Sequence, residues 1–152
     1  MTVKVEIEIP NFTELDIKVG SVVGKAATKA ATKLRQQIRR GQDAAGSALP
    51  KPEGGGKPLR DTGQLLKSIK RGKIRRGRTV ISARGMRDDG KPNQLVMGAQ
   101  QKRIGQQVMG LQPQNQAEVT AAAEKEIRRQ LARSRTGGAK SRGSKNLRSG
   151  GR

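Results

Sequence analysis

Residues 59–84 read LRDTGQLLKSIKRGKIRRGRTVISAR, and the fold turns on them. Leu59, Leu65, Leu66 and Ile69 are core candidates, and after them Ile74, Val80, Ile81 and Ala83 flank a turn near Arg76-Gly77, the pattern of a hairpin. A hairpin needs a covering layer, and both sides of this stretch supply helical patterns. Upstream, Phe12, Leu15, Val19, Val22, Val23, Ala26, Ala27, Ala30, Ala31, Leu34 and Ile38 recur at three and four residues. That spacing predicts one long helix, starting at an Asn11 cap with Glu14 as its reciprocal carboxylate and reaching Arg40. Gly20 and Gly24 inside it each cost about 1 kcal/mol against Ala, which predicts a bend or close packing there.

Farther out, Val3, Val5, Ile7 and Ile9 alternate with Lys4, Glu6 and Glu8, giving an N-terminal strand or arm within residues 1–10 that ends at Pro10. Residues 41–58, GQDAAGSALPKPEGGGKP, lack periodicity and read as a flexible loop that orders against a partner. Asp88-Asp89 with Gly90 and Pro92 form a solvated turn, Leu95-Val96-Met97-Gly98-Ala99 reads as a short strand, and the Gln-rich residues 100–112 carry no clear period. Pro113, Asn115 as cap and Glu118 as its partner announce a last helix, 114–133, with Val119, Ala123, Ile127 and Leu131 four apart. The apolar sides of both long helices are expected to pack on the hairpin sheet. The result is an α+β fold: one domain over 11–132, preceded by the arm and followed by a basic, flexible tail, 133–152.

Composition narrows the chemistry. The 152 residues include 33 Lys and Arg against 12 Asp and Glu, a net charge of +21, with no His and no Cys. Thiol and imidazole nucleophiles, disulfides and the usual zinc sites are thereby excluded, and no enzyme, cofactor or metal is expected. Leu, Ile, Val and Phe together fall just under the roughly 20% level at which high net charge favours disorder, so part of the chain is expected to gain structure only on docking. No apolar window reaches about 18 residues, so no membrane crossing is expected. The N-terminus lacks the apolar region of a secretory signal and is read as that of a protein made in the cytoplasm. Gly54-Gly55-Gly56-Lys57 lacks the spacing of a phosphate-cradling loop.

Positive charge is densest at residues 60–78, where eight Lys or Arg accompany the single acid Asp61, and at 133–152, with seven basic and no acidic residues. Such a chain binds polyanions through counterion release. Phe12 is the one aromatic, so contact with the backbone of a nucleic acid rather than base stacking is the expected mode. The competing readings are a solvated face or contact with acidic protein surfaces. Candidate residues facing DNA or a partner are Lys67, Lys70, Arg71, Lys73, Arg75, Arg76 and Arg78, and in the tail Arg133, Arg135, Lys140, Arg142, Lys145 and Arg148.

The string Pro58-Leu59-Arg60-Asp61-Thr62-Gly63-Gln64-Leu65-Leu66-Lys67-Ser68-Ile69 resembles the L-x-D-T-G-x-L-x-x-S-I signature of tailed-phage virion morphogenesis proteins, also called tail-completion or neck proteins. The order of parts over roughly 12–132 is similar too. Family members often carry a His and an aromatic before the last helix, and Gly105–Gly110 here has neither. The resemblance makes Leu59, Asp61, Thr62, Gly63, Leu65, Ser68 and Ile69 a structural motif. Physically, Asp61 or Thr62 can cap a tight turn, Gly63 permits positive φ, and the apolar residues then enter the core. It further implies a ring at the head–tail junction of a virion, hexameric if the symmetry holds, assembled in the host cytoplasm. Its neighbours would be the portal or its adaptor, a tail terminator or tail tube protein, and packaged DNA, with no membrane. A D-T-G string also marks aspartic proteases, but those need a second carboxylate and an apolar approach, whereas Lys57-Pro58-Leu59-Arg60 leads in here. A nucleic-acid-binding protein of ribosomal or nucleoid type is the alternative.

Overall fold

In a computed structural model, which describes residues 3–5, 17–51 and 63–140, the elements run β1 (Val3–Val5), α1 (Val19–Arg39), α2 (Gln64–Ser68), β2 (Ile69–Arg71), β3 (Thr79–Ala83), α3 (Asn93–Ile104) and α4 (Pro113–Lys140). The three strands form an antiparallel sheet in the order β1-β3-β2, with Val3 opposite Ile81 and Ile69 opposite Ala83. The chain is therefore α+β.

α1 is the centre of the molecule. Its buried residues Val22, Val23, Ala26, Ala27, Ala30, Ala31, Leu34 and Ile38 cover a wide arc rather than a narrow stripe. The arc serves two neighbours, since α1 packs against β2 and β3 on one side and along α4 on the other. The sequence placed both long helices on the sheet; in the structure α1 holds α4 away from it. Four alanines in this arc let the neighbouring backbones approach closely. Val119, Ala123 and the half-buried Ile127 of α4 complete that side of the core, and Ile69 and Ile81 the other. Gly24 makes room for the hairpin: a methyl group there would lie 3.2 Å from Ile74 Cδ1, whereas Gly20 has open space around it. Of the two predicted glycine effects, close packing holds at Gly24.

The hairpin turns where expected. Arg75 and Arg78 exchange backbone hydrogen bonds of 2.9 Å, and Arg76 (φ 49°) and Gly77 (φ 71°) both have positive φ, as a type I′ turn demands. Gly72 N–H donates to Val80 C=O, so between the pairs 72/80 and 75/78 the residues Lys73 and Ile74 stand opposite Thr79 alone. Two residues against one make a β-bulge, which re-aims side chains. Here it sends Ile74 towards Gly24 of α1. At the other end of β2, Gly63 has φ 67° and opens α2, whose Leu65 and Leu66 are buried together with Ile69. Ser68 is buried and its hydroxyl donates to Leu65 C=O.

Several sequence expectations are corrected. The N-terminal helix starts at Val19, because residues 17 and 18 are not helical; the Asn11–Glu14 cap, Phe12 and Leu15 lie outside the described residues, as do Leu59, Asp61 and Thr62. Residues 95–99 belong to α3 instead of a strand. Their burial follows the helical period, with Asn93, Met97 and Gln101 inside and Leu95 68% exposed. The first half of the 41–58 loop is built structure: the Asp43 carboxylate accepts from Ala45 N–H and Ser47 N–H, Leu49 N–H donates to Gly41 C=O, and Leu49 is buried. Residues 52–58 lie outside the described set. Asn115 is not the cap of the last helix, which begins at Pro113, a residue suited to a first helical position because it lacks an N–H. That helix also runs to Lys140, so the start of the supposed tail is helical.

The Gln-rich segment is held by two buried glutamines. Gln37 of α1 donates through Nε2 to Asp43 C=O (2.9 Å) and Gly110 C=O (2.8 Å), and its Oε1 accepts from Gln112 N–H and Asn115 Nδ2. Gln101 of α3 accepts through Oε1 from Val108 N–H and Met109 N–H. Val108 and Met109 are thereby delivered into the core.

Candidate nucleic-acid interface

All seven cations proposed around the hairpin are exposed: Lys67 on α2, Lys70 and Arg71 on β2, and Lys73, Arg75, Arg76 and Arg78 in the bulge and turn. They do not form one cluster. Lys70, Arg71 and Lys73 line an open groove of about 490 Å³ between β2 and α1, and there they meet Arg35 of α1 and Arg84, the residue after β3. No acidic residue lines this groove among the described residues.

The groove is assembled by local structure. In the β2–β3 register Lys70 and Gly72 share one face of the pleat with Arg84, while Ile69 and Arg71 share the face turned to α1. The Arg84 guanidinium lies across Gly72, where a side chain would collide with it. Its backbone is fixed on both sides, by Arg84 N–H donating to Ser68 C=O and by the Asn93 amide donating to Arg84 C=O (3.0 Å). Arg35 is oriented by donating to Ala31 C=O and the Thr32 hydroxyl. Arg71 reaches over α1 to Gly24.

The tail candidates are elsewhere. Arg133 and Arg135 are exposed on α4, and Arg133 lines a separate cavity with Lys18, Glu126 and Gln130; Lys140 closes α4, and Arg142, Lys145 and Arg148 lie outside the described residues. Sequence reading missed Arg35 and Arg84 because only the hairpin register brings Arg84 beside β2, and only the packing of α1 on β2 brings Arg35 there.

The lysines of α1 are a different population. Lys33 and Lys29 pair with Glu118 of α4, and Lys25 pairs with Glu126. Glu126 is 2% exposed and also accepts from Arg129, Gln130 and the Ser21 hydroxyl. The hydrogen bond from Arg129, then those from Lys25, Gln130 and Ser21, hold its carboxyl far below the ordinary value of 4.5. Lys33 acts likewise on Glu118. A lowered carboxylate stabilises the fold fully above its unfolded value and progressively less as pH falls below it. Glu126→Gln is therefore expected to melt well below the wild type at neutral pH, with the gap narrowing from about pH 4.5 downward; thermal melts that keep a constant gap to low pH would refute the assignment.

Comparisons of the chain with protein families, with curated proteins and with solved structures found no match. Among the described residues no helix is long and apolar enough to cross a membrane.

Proposed function

We propose that the chain is a non-enzymatic structural protein of a tailed-phage virion, part of a ring at the head–tail junction that joins or stabilises the portal–tail connection around the DNA channel. The observation that carries this reading is the D-T-G segment in its setting. Gly63 turns the chain with positive φ and Leu65, Leu66 and Ile69 enter the core, immediately before a cationic hairpin that lies between two long helices in sequence. The exposed cations of that hairpin suit a wall facing DNA or the acidic surface of a neighbouring ring.

Electron microscopy of the protein alone and with particles of the phage that encodes it tests this, together with mass measurement of its copy number per particle. Rings or filled necks, at a copy number matching the ring, are the expected result. Absence from purified particles would refute it. The cation-lined groove also favours a second reading, a non-specific nucleic-acid-binding protein, which predicts co-purification with DNA or RNA and no ordered oligomer.

A further inference from the structure

We propose that the groove beside β2 is a track for the phosphodiester backbone of a duplex nucleic acid, with Arg35, Arg71 and Arg84 donating to phosphates and Lys70 and Lys73 flanking them. This inference rests on the groove alone and holds whether or not the chain assembles in a virion.

Charge is the first argument. Lys25, Lys29 and Lys33 on the same helix as Arg35 are matched by Glu118 and Glu126, and Arg87 is matched by Asp89. The five groove cations have no carboxylate partner among the described residues, and they line one concave surface. A line of cations on a concave wall fits a continuous string of phosphates better than a single small anion.

Backbone geometry is the second. Sheet order makes β2 an edge strand. Because Gly72 N–H donates to Val80 C=O, antiparallel alternation makes 72/80 and 70/82 the bonded pairs. The N–H and C=O of Arg71 consequently point away from β3, to the open edge that borders the groove. A phosphate oxygen held by the Arg71 guanidinium can also accept from this N–H, a combination common at backbone contacts.

Third, the arginines are set in advance. Arg84 is pinned through its own backbone by Ser68 and Asn93, and Arg35 is tied to its own helix. A docked protein would want an apolar or aromatic anchor at the centre of its footprint. The apolar side chains of the groove, Ala31 and Ile69, are both buried, so neither stands out as such an anchor, while the five charged side chains that line it suit phosphates.

The test uses the full chain and fluorescent duplexes of mixed sequence, one DNA and one RNA, titrated over a range of salt. Arg35→Gln/Arg71→Gln/Arg84→Gln is compared with Lys102→Gln/Arg103→Gln/Lys125→Gln, which removes the same charge from exposed positions on α3 and α4. The groove triple is expected to weaken binding on the order of 100-fold at about 0.15 M salt and to reduce the slope of log K against log salt by about 2.7, and the control triple by under about 1. Loss with either duplex supports the track, and the duplex affected names its source. Equal losses from both triples would mean diffuse charge and overturn it. So would displacement of the duplex by polyglutamate as readily as by unlabelled duplex, since the groove would then be an acidic-protein site. Should the triple fold poorly, Arg71→Gln alone, an exposed side chain, is expected to lower the slope by about 0.9.

Discussion

Gln37→Leu is expected to lower stability by about 3 kcal/mol and the melting temperature by on the order of 10 °C. Leucine fills a similar volume, so the loss is not a cavity effect. What disappears is a side chain 2% exposed that makes four hydrogen bonds. Asp43 C=O retains Gly46 N–H and the Gln112 amide, but Gly110 C=O and Gln112 N–H lose their partner in a site shielded from water. Each orphaned buried group costs about 1–3 kcal/mol. Gln37→Glu separates this account from a mere preference for length. Glutamate would keep the acceptor but face two carbonyls with oxygen instead of N–H, so it should be no better tolerated than leucine. A Gln37→Glu variant with wild-type melting would show that the amide is not the clamp.

Gly110→Ala is expected to cost about 3 kcal/mol, a large effect for one methyl group. The added carbon would stand 2.6 Å from Ala44 Cβ and 3.2 Å from Gln107 Nε2. Ala44 cannot retreat freely, because its N–H donates to Gln107 C=O at 2.8 Å and its loop is closed by the Asp43 carboxylate. The conflict is between two rigid Cβ atoms, so Ala44→Gly should restore most of the loss. In that background Gly110→Ala is expected to cost under about 1 kcal/mol in denaturant melts. Equal costs in both backgrounds would place the strain elsewhere.

The residues whose chemistry is local were legible in the sequence. The apolar, β-branched run of Val80 and Ile81 with Ala83, after a glycine at the turn beside Arg76, reads as one arm of a hairpin, and the three-and-four spacing from Val19 to Ile38 reads as a helix. The apolar side of α1 was visible too, but not that it widens into an arc serving two partners, the sheet and α4. Residues 95–99 misled because three adjacent apolar side chains fit a strand or a helix equally, and burial of Asn93 and Gln101, polar residues that satisfy backbone groups, set the true period. The order around 100–112 was illegible for the same reason: glutamine gives no hydropathy signal whether it is solvated or clamps a loop. At the interface the basic runs were plain, whereas Arg84 came beside β2 only through the register of β2 on β3, and Arg35 only through the packing of α1 on β2. Arg76 is a further case: a glycine or asparagine would adopt φ 49° at less cost, so the strain maintains a charge at the hairpin tip.

The open border of β2 has a consequence for the protein's behaviour in concentrated solution. Unsatisfied main-chain groups along a sheet margin invite a strand from another molecule, and the route from there leads to aggregates. Lys70, Arg71 and Lys73 stand along this margin, so two copies approaching edge to edge meet mutual repulsion before any ladder can form. The same ammonium and guanidinium groups therefore act as gatekeepers while the groove is empty, and a bound polyanion takes over that protection by covering the margin itself.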